Sequence, residues 1–186
     1  MQYLLSIDQQ LLLAINGKHS PLLDNFFWFV TSDYFALIAL GISLLVVGRA
    51  YGLKFCAWFF ATLLVCVIIS DGIDTYIFKP EVARFRPTHE PLLADLLHLV
   101  NDYRGGTYGF YSSHASNSAV LGLLAGLIIP NNLFRAYMFA YVFLFSLSRI
   151  YLGVHYPSDI IVGWIMGSLI AYLGYRVLIR IRKPHT

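Results

Sequence analysis

The sequence predicts an all-α membrane protein, a polytopic bundle of about five transmembrane helices with six as the alternative count. The chain has 186 residues, of which 58% are hydrophobic and only 12% are charged. Soluble domains carry about twice that share of charged residues. The apolar residues occur in long runs and the polar ones in short segments between them, as expected when the bilayer is the solvent.

Five apolar runs are candidate spans, and residues 1–186 are interpreted as a single integral-membrane domain. A spanning helix needs about 20 residues, so the shorter runs would extend into flanking residues. The five runs are Tyr34 to Gly48, Leu53 to Phe78, Ser113 to Ile129, Leu133 to Leu147 and Asp159 to Ile181.

Residues 1–33 are predicted to form an interfacial N-terminal region. Leucines and isoleucines alternate with polar residues in helical register over 4–15, which indicates an amphipathic helix lying on the membrane and ended by Asn16-Gly17. A second apolar stretch, 22–30, is interpreted as interfacial or re-entrant. The alternative is one span over 26–47, with the polar residues in its middle buried.

Three polar segments interrupt the apolar sequence, and we call them islands 1, 2 and 3. Island 1 is KPEVARFRP (79–87), island 2 is FYSSH (110–114) and island 3 is SRIYLGVHYPSD (148–159). Polar and charged groups next to spans are expensive unless they serve one another or a ligand. If the helices alternate in direction, all three islands lie on one side of the membrane and mark a functional site.

The islands contain groups suited to binding phosphate. Lys79, Arg86 and Arg149 supply positive charge for an anion whose charge spreads over three oxygens during transfer. Pro87 disfavours helix at Arg86 and keeps that arginine extended. Ser112-Ser113 begins the following helix, where free N–H groups and hydroxyls form a natural phosphate cradle.

Two histidines and a carboxylate complete the predicted chemistry. His155 is the candidate nucleophile, and Asp159 could accept its Nδ1–H and leave Nε2 free to attack phosphorus. His114 would protonate the leaving oxygen and then activate water. This pattern predicts phosphoryl transfer through a phosphohistidine, with no cofactor and no metal.

Three more residues are candidates for lining the site: Ser148, Asp74 and Arg84. Asp74 is expected to line the mouth or to pair with an arginine. Arg84 could meet a second phosphate, although most arginines in such a place are surface cations.

Residues 79–112 are predicted to form an extracytoplasmic cap over the site. The cap contains island 1, then an amphipathic helix over 92–100, then Arg104-Gly105-Gly106 as a flexible turn. A connection of this length exceeds the usual loop between helices. Substrate selectivity is expected in residues 88–109 of this cap and in the interfacial stretch 20–33.

In order along the chain, the islands resemble the motifs of the type 2 phosphatidic acid phosphatase superfamily, also called the lipid phosphate phosphatase or vanadium haloperoxidase-like superfamily. Lys-x6-Arg-Pro begins at Lys79, Ser-x-His at Ser112 and Ser-Arg-x5-His-x3-Asp at Ser148. One departure is that Ser113 replaces the usual glycine, which matters only if its backbone requires positive φ. The resemblance implies these roles: His155 as phosphorylated nucleophile, Asp159 as its partner, His114 as acid, and Lys79, Arg86, Ser112 and Arg149 as phosphate ligands.

Together these observations predict a phosphatase that hydrolyses a membrane lipid bearing a phosphate head group. Undecaprenyl diphosphate is the first choice, because a small chain with an outward-facing site suits recycling of a carrier lipid. Lipid A phosphate is second, and phosphatidylglycerophosphate or phosphatidate third. A phosphotransferase using the same phosphohistidine is a variant.

The bilayer is the expected partner and nucleic acid is not, because there is no long basic run. The sequence does not predict the oligomeric state.

The distribution of basic residues predicts the orientation. The side opposite the islands carries seven lysines and arginines and no acidic residue, so it is cytoplasmic by the positive-inside rule. The islands then face the periplasm or cell exterior, from a bacterial inner membrane. The seven are Arg49, Lys54, Arg135, Arg176, Arg180, Arg182 and Lys183.

Two other classes of protein remain as alternatives. A membrane haem protein could use His114 and His155 as axial ligands, but it would leave the cations and Asp159 without a role. A small transporter or channel would have polar residues distributed through its spans, whereas here they cluster at one end.

Overall fold

The computed structural model describes residues 2–181, and the side chains of residues 7–181, as an all-α structure. Within that range the only strand-like pairing is a single bridge between Phe85 and Tyr108. The predicted fold class is thereby confirmed. The helices are α1 (Gln2–Asn16), α2 (Pro21–Val30), α3 (Asp33–Ile73), α4 (Lys79–Val82), α5 (Ser113–Ile128), α6 (Asn132–Tyr151) and α7 (Pro157–Ile181).

Helix α3 is a helical hairpin. Its backbone breaks at Gly52, with φ 82° and ψ 165°, a conformation that glycine adopts without strain. The thiol of Cys56 lies 3.4 Å from the carbonyl oxygen of Leu44, so the two arms run side by side in opposite directions. A π-helical segment, Asp74–Phe78, continues the second arm to island 1.

The helices account for the five predicted crossings. Among the described residues, three continuous helical segments are long and apolar enough to span a membrane: Asp33–Val82, Asn132–Tyr151 and Pro157–Ile181. The bend at Gly52 divides the first into two crossings. Helix α5 is apolar but shorter, at 16 residues, and lies at the centre of the bundle.

Helices α5 and α7 approach closely because α7 has glycines where they meet. A Cβ atom at Gly167 would lie 2.3 Å from the carbonyl oxygen of Ser116, and one at Gly163 would lie 2.7 Å from that of Ser112. Small residues spaced four apart allow such close helix contacts in membranes. The contact brings the N-terminal ends of α5 and α7, and therefore islands 2 and 3, together.

The N-terminal region packs on the bundle. Helix α1 ends at Asn16, as predicted, but Leu12 and Asn16 are buried against the protein. The Asn16 amide donates to the carbonyl oxygens of His98 and Tyr151, and its oxygen accepts the His98 N–H. The helix predicted over 4–15 is therefore present, and it packs on the protein as well, which its amphipathic pattern did not predict.

The interfacial stretch forms a helix of its own. Helix α2 is capped by the Ser20 hydroxyl, which accepts the N–H of Leu23 at 3.3 Å. Its last residue is Val30, and α3 begins after a turn at Thr31-Ser32. This turn excludes the alternative of one continuous span over 26–47.

The cap does not contain the helix predicted over 92–100. Two short 3-10 turns stand there instead, Ala94–Leu96 and Val100–Asp102. Leu93 and Val100 would share one face of a helix, but each is buried in a different hydrophobic cluster. Packing into two clusters has therefore overridden the helical pattern.

Candidate active site

The three islands meet at one end of the bundle. The N–H of Ser112 donates to the carbonyl oxygen of Asp159 at 3.2 Å and joins island 2 to island 3. The guanidinium of Arg84 bonds the Asp159 carboxylate at 2.8 Å and joins island 1 to island 3. Residues far apart in the sequence thus form one polar site.

His155 and Asp159 are both buried, with exposed fractions of 1% and 0%. Nδ1 of His155 lies 3.4 Å from Oδ2 of Asp159, which is long for an N–H···O hydrogen bond. The same oxygen accepts the N–H of Tyr156 at 3.0 Å. Burial first, then the charges of Arg86 and Arg149, lower the pKa of His155 well below 6.5, so its ring is neutral.

His114 occupies the first turn of α5. Its ring stacks on Phe145, with 5.6 Å between the ring centroids, and it lies close enough to Arg86 and Arg149 to sense their charges. Together with Ser113 and Asn117, it lines a cavity of about 660 Å³ between the arms of α3 and helices α5 and α6. His114 is therefore accessible from the side of the bundle.

Arg149 is a buried cation with an exposed fraction of 2%. Its Nη1 donates to the Thr31 hydroxyl at 2.5 Å and its Nη2 to the Tyr103 hydroxyl at 3.1 Å. Burial would raise the pKa of Tyr103, but the charge and hydrogen bond of Arg149, with Arg86, outweigh it and lower that pKa. The Nε–H of Arg149 has no acceptor among the described residues. An unpaired buried donor is costly, and an anionic ligand would satisfy it.

Arg86 has the extended backbone predicted for the residue before a proline, with φ −64° and ψ 153°. Its Nε donates to the carbonyl oxygen of Tyr108 at 3.1 Å. Gly105 and Gly109 leave room for it, since a Cβ at either position would come within 2.7 Å of its side chain. Burial, and then the charge of Arg149, lower the pKa of Arg86.

Lys79 is already paired in the structure. Its Nζ lies 2.8 Å from the carboxylate of Asp74, whose side chain is 3% exposed. Asp74 therefore pairs with a lysine rather than with the expected arginine. The lysine side chain is 35% exposed, so it remains within reach of a ligand at the mouth of the site.

Ser112 and Ser113 have different places at the start of α5. Ser112 is the N-cap, and its fully buried hydroxyl accepts the N–H of Ala115 at 3.4 Å. Ser113 is the first helical residue and does not have positive φ, so serine fits where the common motif has glycine. The strained residue is Tyr111, at φ 71°, and its hydroxyl is hydrogen bonded to Ser116.

Two of the candidate lining residues have other roles. Ser148 is fully buried, and its hydroxyl donates to the carbonyl oxygen of Phe145 inside α6. Arg84 is neither a surface cation nor free for a second phosphate, because it is bonded to Asp159 and to Asp8. The Ser148 hydroxyl and the Arg84 guanidinium are therefore both bonded within the protein.

Sequence reasoning missed three residues that hold the site together. Thr31 and Tyr103 bind Arg149, and Asp8 binds Arg84. Asp8 is the single acidic residue of α1, and that was a usable signal for its role. The Gly-x3-Gly spacing of α7 was a signal for close helix packing. Nothing in the pattern around Thr31 or Tyr103 points to an arginine.

The fold and the site define an integral-membrane lipid phosphatase, a phosphoric ester hydrolase. The profile of the PAP2 superfamily matches residues 55–183, and the chain belongs to that superfamily. It is 35% identical over 183 residues to the Lipid A 4'-phosphatase of Porphyromonas gingivalis, covering 98% of this chain and 78% of that protein. It is 31% identical over 176 residues to the Lipid A 4'-phosphatase of Bacteroides thetaiotaomicron, covering 94% and 78%.

A solved structure has the same fold. The PAP2 type phosphatidylglycerolphosphate phosphatase from Bacillus subtilis superposes with a TM-score of 0.71, covering 98% of this chain and 90% of that one, at 18% identity. The arrangement of helices is therefore that of PAP2 membrane phosphatases. Family membership favours the phosphatase prediction over the haem-protein and transporter alternatives.

Proposed function

We propose that this protein removes a phosphate group from lipid A, by way of a phosphohistidine. The observation that carries the choice of lipid is the likeness, over nearly the whole chain, to two enzymes named for the 4'-phosphate of lipid A. This likeness favours lipid A over undecaprenyl diphosphate, the first choice from sequence. We accordingly expect the phosphate ester at the 4' position to be the bond that is cleaved.

The lateral cavity supports a lipid substrate. Its wall is apolar along the arms of α3, where Leu37, Leu40 and Leu63 line it, and its polar end holds His114 and Asn117. Leu37 is 59% exposed on the outside of the bundle. An acyl chain could thus stay in the bilayer while the phosphate head group enters between the helices.

In the first step, Nε2 of His155 attacks phosphorus and the bond from phosphorus to the lipid oxygen breaks. His114, protonated while the phosphate dianion lies beside it, gives its proton to that oxygen and becomes neutral, and the dephosphorylated lipid leaves. Arg149 and Arg86 bind the phosphate oxygens, with Lys79 at the mouth. The unpaired Nε–H of Arg149 supplies a donor for the charge that develops.

In the second step, water attacks the phosphohistidine. His114, now neutral, takes a proton from the water, the phosphorus–nitrogen bond breaks, and inorganic phosphate leaves. His155 returns to its neutral form, which its dry and positively charged surroundings favour. These steps use the side chains of the protein alone, and we expect activity to survive removal of divalent metal.

The proposed location is the bacterial inner membrane, with the site facing the periplasm. The bend of α3, which carries Arg49 and Lys54, lies at the end opposite the site, where the Tyr51 hydroxyl donates to the carbonyl oxygen of Ile128. Arg135 and the C-terminal part of α7 lie at that same end. Basic residues on that face support a cytoplasmic position.

The function is tested by phosphate release from purified protein in detergent with EDTA. Lipid A, undecaprenyl diphosphate, phosphatidylglycerophosphate and phosphatidate are offered separately, and mass spectrometry locates the phosphate lost from lipid A. We expect release from lipid A at the 4' position that is lost in His155→Ala. Release from another lipid alone would reassign the substrate, and release that survives His155→Ala would refute the nucleophile.

A further inference from the structure

A side-chain network outside the phosphate site joins the N-terminal helix to the partner of the nucleophile. Nη1 of Arg84 donates to Oδ1 of Asp159 at 2.8 Å, and Nη2 donates to Oδ2 of Asp8 at 2.6 Å. The guanidinium also lies 3.8 Å over the ring of Tyr156. Arg84 is thus held on three sides, and it occupies the Asp159 oxygen that does not face His155.

Asp8 connects this network to the start of α7. The carboxylate is 7% exposed, and its Oδ1 accepts the backbone N–H of Ser158 at 2.9 Å. The hydroxyl of Ser158 donates to the other oxygen. A carboxylate at a helix N-terminus satisfies a free N–H and interacts favourably with the helix dipole. Asp8 therefore fixes both Arg84 and the first turn of the helix that carries Asp159.

The network matters because the contact between His155 and Asp159 is loose. At 3.4 Å, this contact does not by itself define the rotation of the carboxylate. The rotation is set by the shorter bonds that Asp159 makes with Arg84 and with the N–H of Tyr156. A guanidinium is planar and holds its partners in a defined geometry.

We propose that Arg84, supported by Asp8, is a positioning residue for the phosphoryl transfer. It holds the Asp159 carboxylate so that the second oxygen orients the ring of His155 for attack. The proposal rests on His155 acting as the nucleophile of the proposed function. It gives α1 a role in catalysis through Asp8.

A double-mutant cycle tests this role. Arg84→Met should lower kcat about 10²-fold, the size of effect that a misplaced reacting group produces, and leave KM within about threefold. In an Asp159→Asn background the same substitution should lower kcat by less than about threefold, because the group it positions is already lost. Equal losses in both backgrounds would overturn the proposal, since they would indicate a merely structural role.

Matched variants complete the experiment. Arg84→Lys, which keeps the charge but lacks the planar fork that holds two carboxylates in fixed directions, should recover part of kcat. Asp8→Asn should lose less than Arg84→Met. Arg176→Met, at the far end of α7, should leave kcat unchanged. If Arg84→Met does not fold, judged by gel filtration and melting temperature, Arg84→Lys carries the cycle. Wild-type kcat in a folded Arg84 variant would refute the proposal.

The substrate does not decide this test. The cycle uses whichever lipid phosphate the wild-type protein hydrolyses fastest, so failure of lipid A would change the proposed substrate alone. Activity retained by His155→Ala would instead refute the proposed mechanism, and the positioning role of Arg84 with it.

Discussion

The ring of His155 is neutral because it lies in a dry and positively charged place. Burial first, then Arg86 and Arg149, lower its pKa well below 6.5. An unfolded chain binds a proton at this histidine as the pH falls through about 6.5, and the folded chain does not. The folded state is therefore favoured fully above that pH and loses stability as the pH falls toward the folded pKa.

We therefore predict that His155→Gln reduces the loss of stability on acidification. Between about pH 6.5 and 5, one unmatched proton contributes up to ~1.4 kcal/mol per pH unit, and the variant lacks that contribution. Melting temperatures in detergent across this range measure it. His89→Gln in the cap is the control. If the melting temperature of His155→Gln falls as much on acidification as that of the wild type, the neutral form assigned to His155 is contradicted.

The sequence predicted the charged and titratable residues of the site. It did not predict the residues that hydrogen bond to them. His114, His155 and Arg149 stand at fixed spacings inside short polar segments, and those spacings are a local signal. Thr31 and Tyr103 reach Arg149 from segments 118 and 46 residues away. A contact between such distant segments depends on how the whole bundle packs, so no local sequence pattern predicts it.

At the scale of helices, the site depends on how closely α5 and α7 approach. Both helices begin at the site, with the Ser112 cap on one and Asp159 on the other. Gly163 and Gly167 allow the backbones to meet. In a membrane, helix association depends on such packing because lipid supplies little hydrophobic drive.

We predict that Gly167→Ala destabilises the protein and lowers its activity. The new Cβ would lie 2.3 Å from the Ser116 carbonyl oxygen, so the helices must separate, at a cost of about 1–3 kcal/mol. The control is Gly41→Ala, where a Cβ meets nothing within 4 Å. That change should be neutral or stabilising, because alanine favours helix. Equal melting temperatures for the two variants would refute the close-packing account.

The helices were predicted correctly where a whole segment has one kind of environment. The prediction failed where neighbouring residues have different environments. The spans were visible because each run faces lipid or core along its whole length. Residues 92–102 lie in the cap, outside the spans, where Leu93 and Val100 fill separate clusters and Asn101 and Asp102 have positive φ. Hydrophobic spacing alone does not reveal that neighbouring residues are buried in different places.

For the whole molecule, orientation is the property that connects structure to cell biology. Polar islands gather at one end of the bundle. Basic residues occupy the other, and those within residues 7–181 form no ion pair there. The proposed function requires the first end to face the compartment that holds the phosphorylated lipid. Orientation can be measured independently of catalysis.

We predict opposite labelling of cysteines placed at the two ends. In a Cys56→Ser, Cys66→Ser background, Asp95→Cys in the exposed cap should react with a membrane-impermeant maleimide when the inner membrane is intact. Lys54→Cys, at the bend of α3, should react only after that membrane is permeabilised, because the proposed orientation places the basic end in the cytoplasm. The reverse pattern would invert the topology and place the site in the cytoplasm.

The contact between Thr31 and Arg149 affects where a shortened version of this protein can begin. The superfamily profile begins at residue 55, yet the hydroxyl that steadies a buried guanidinium of the site comes from residue 31. A protein trimmed to the matched region would keep every motif residue and lose that acceptor, together with both N-terminal helices. Boundaries chosen from the family match alone would therefore remove part of the support of the active site.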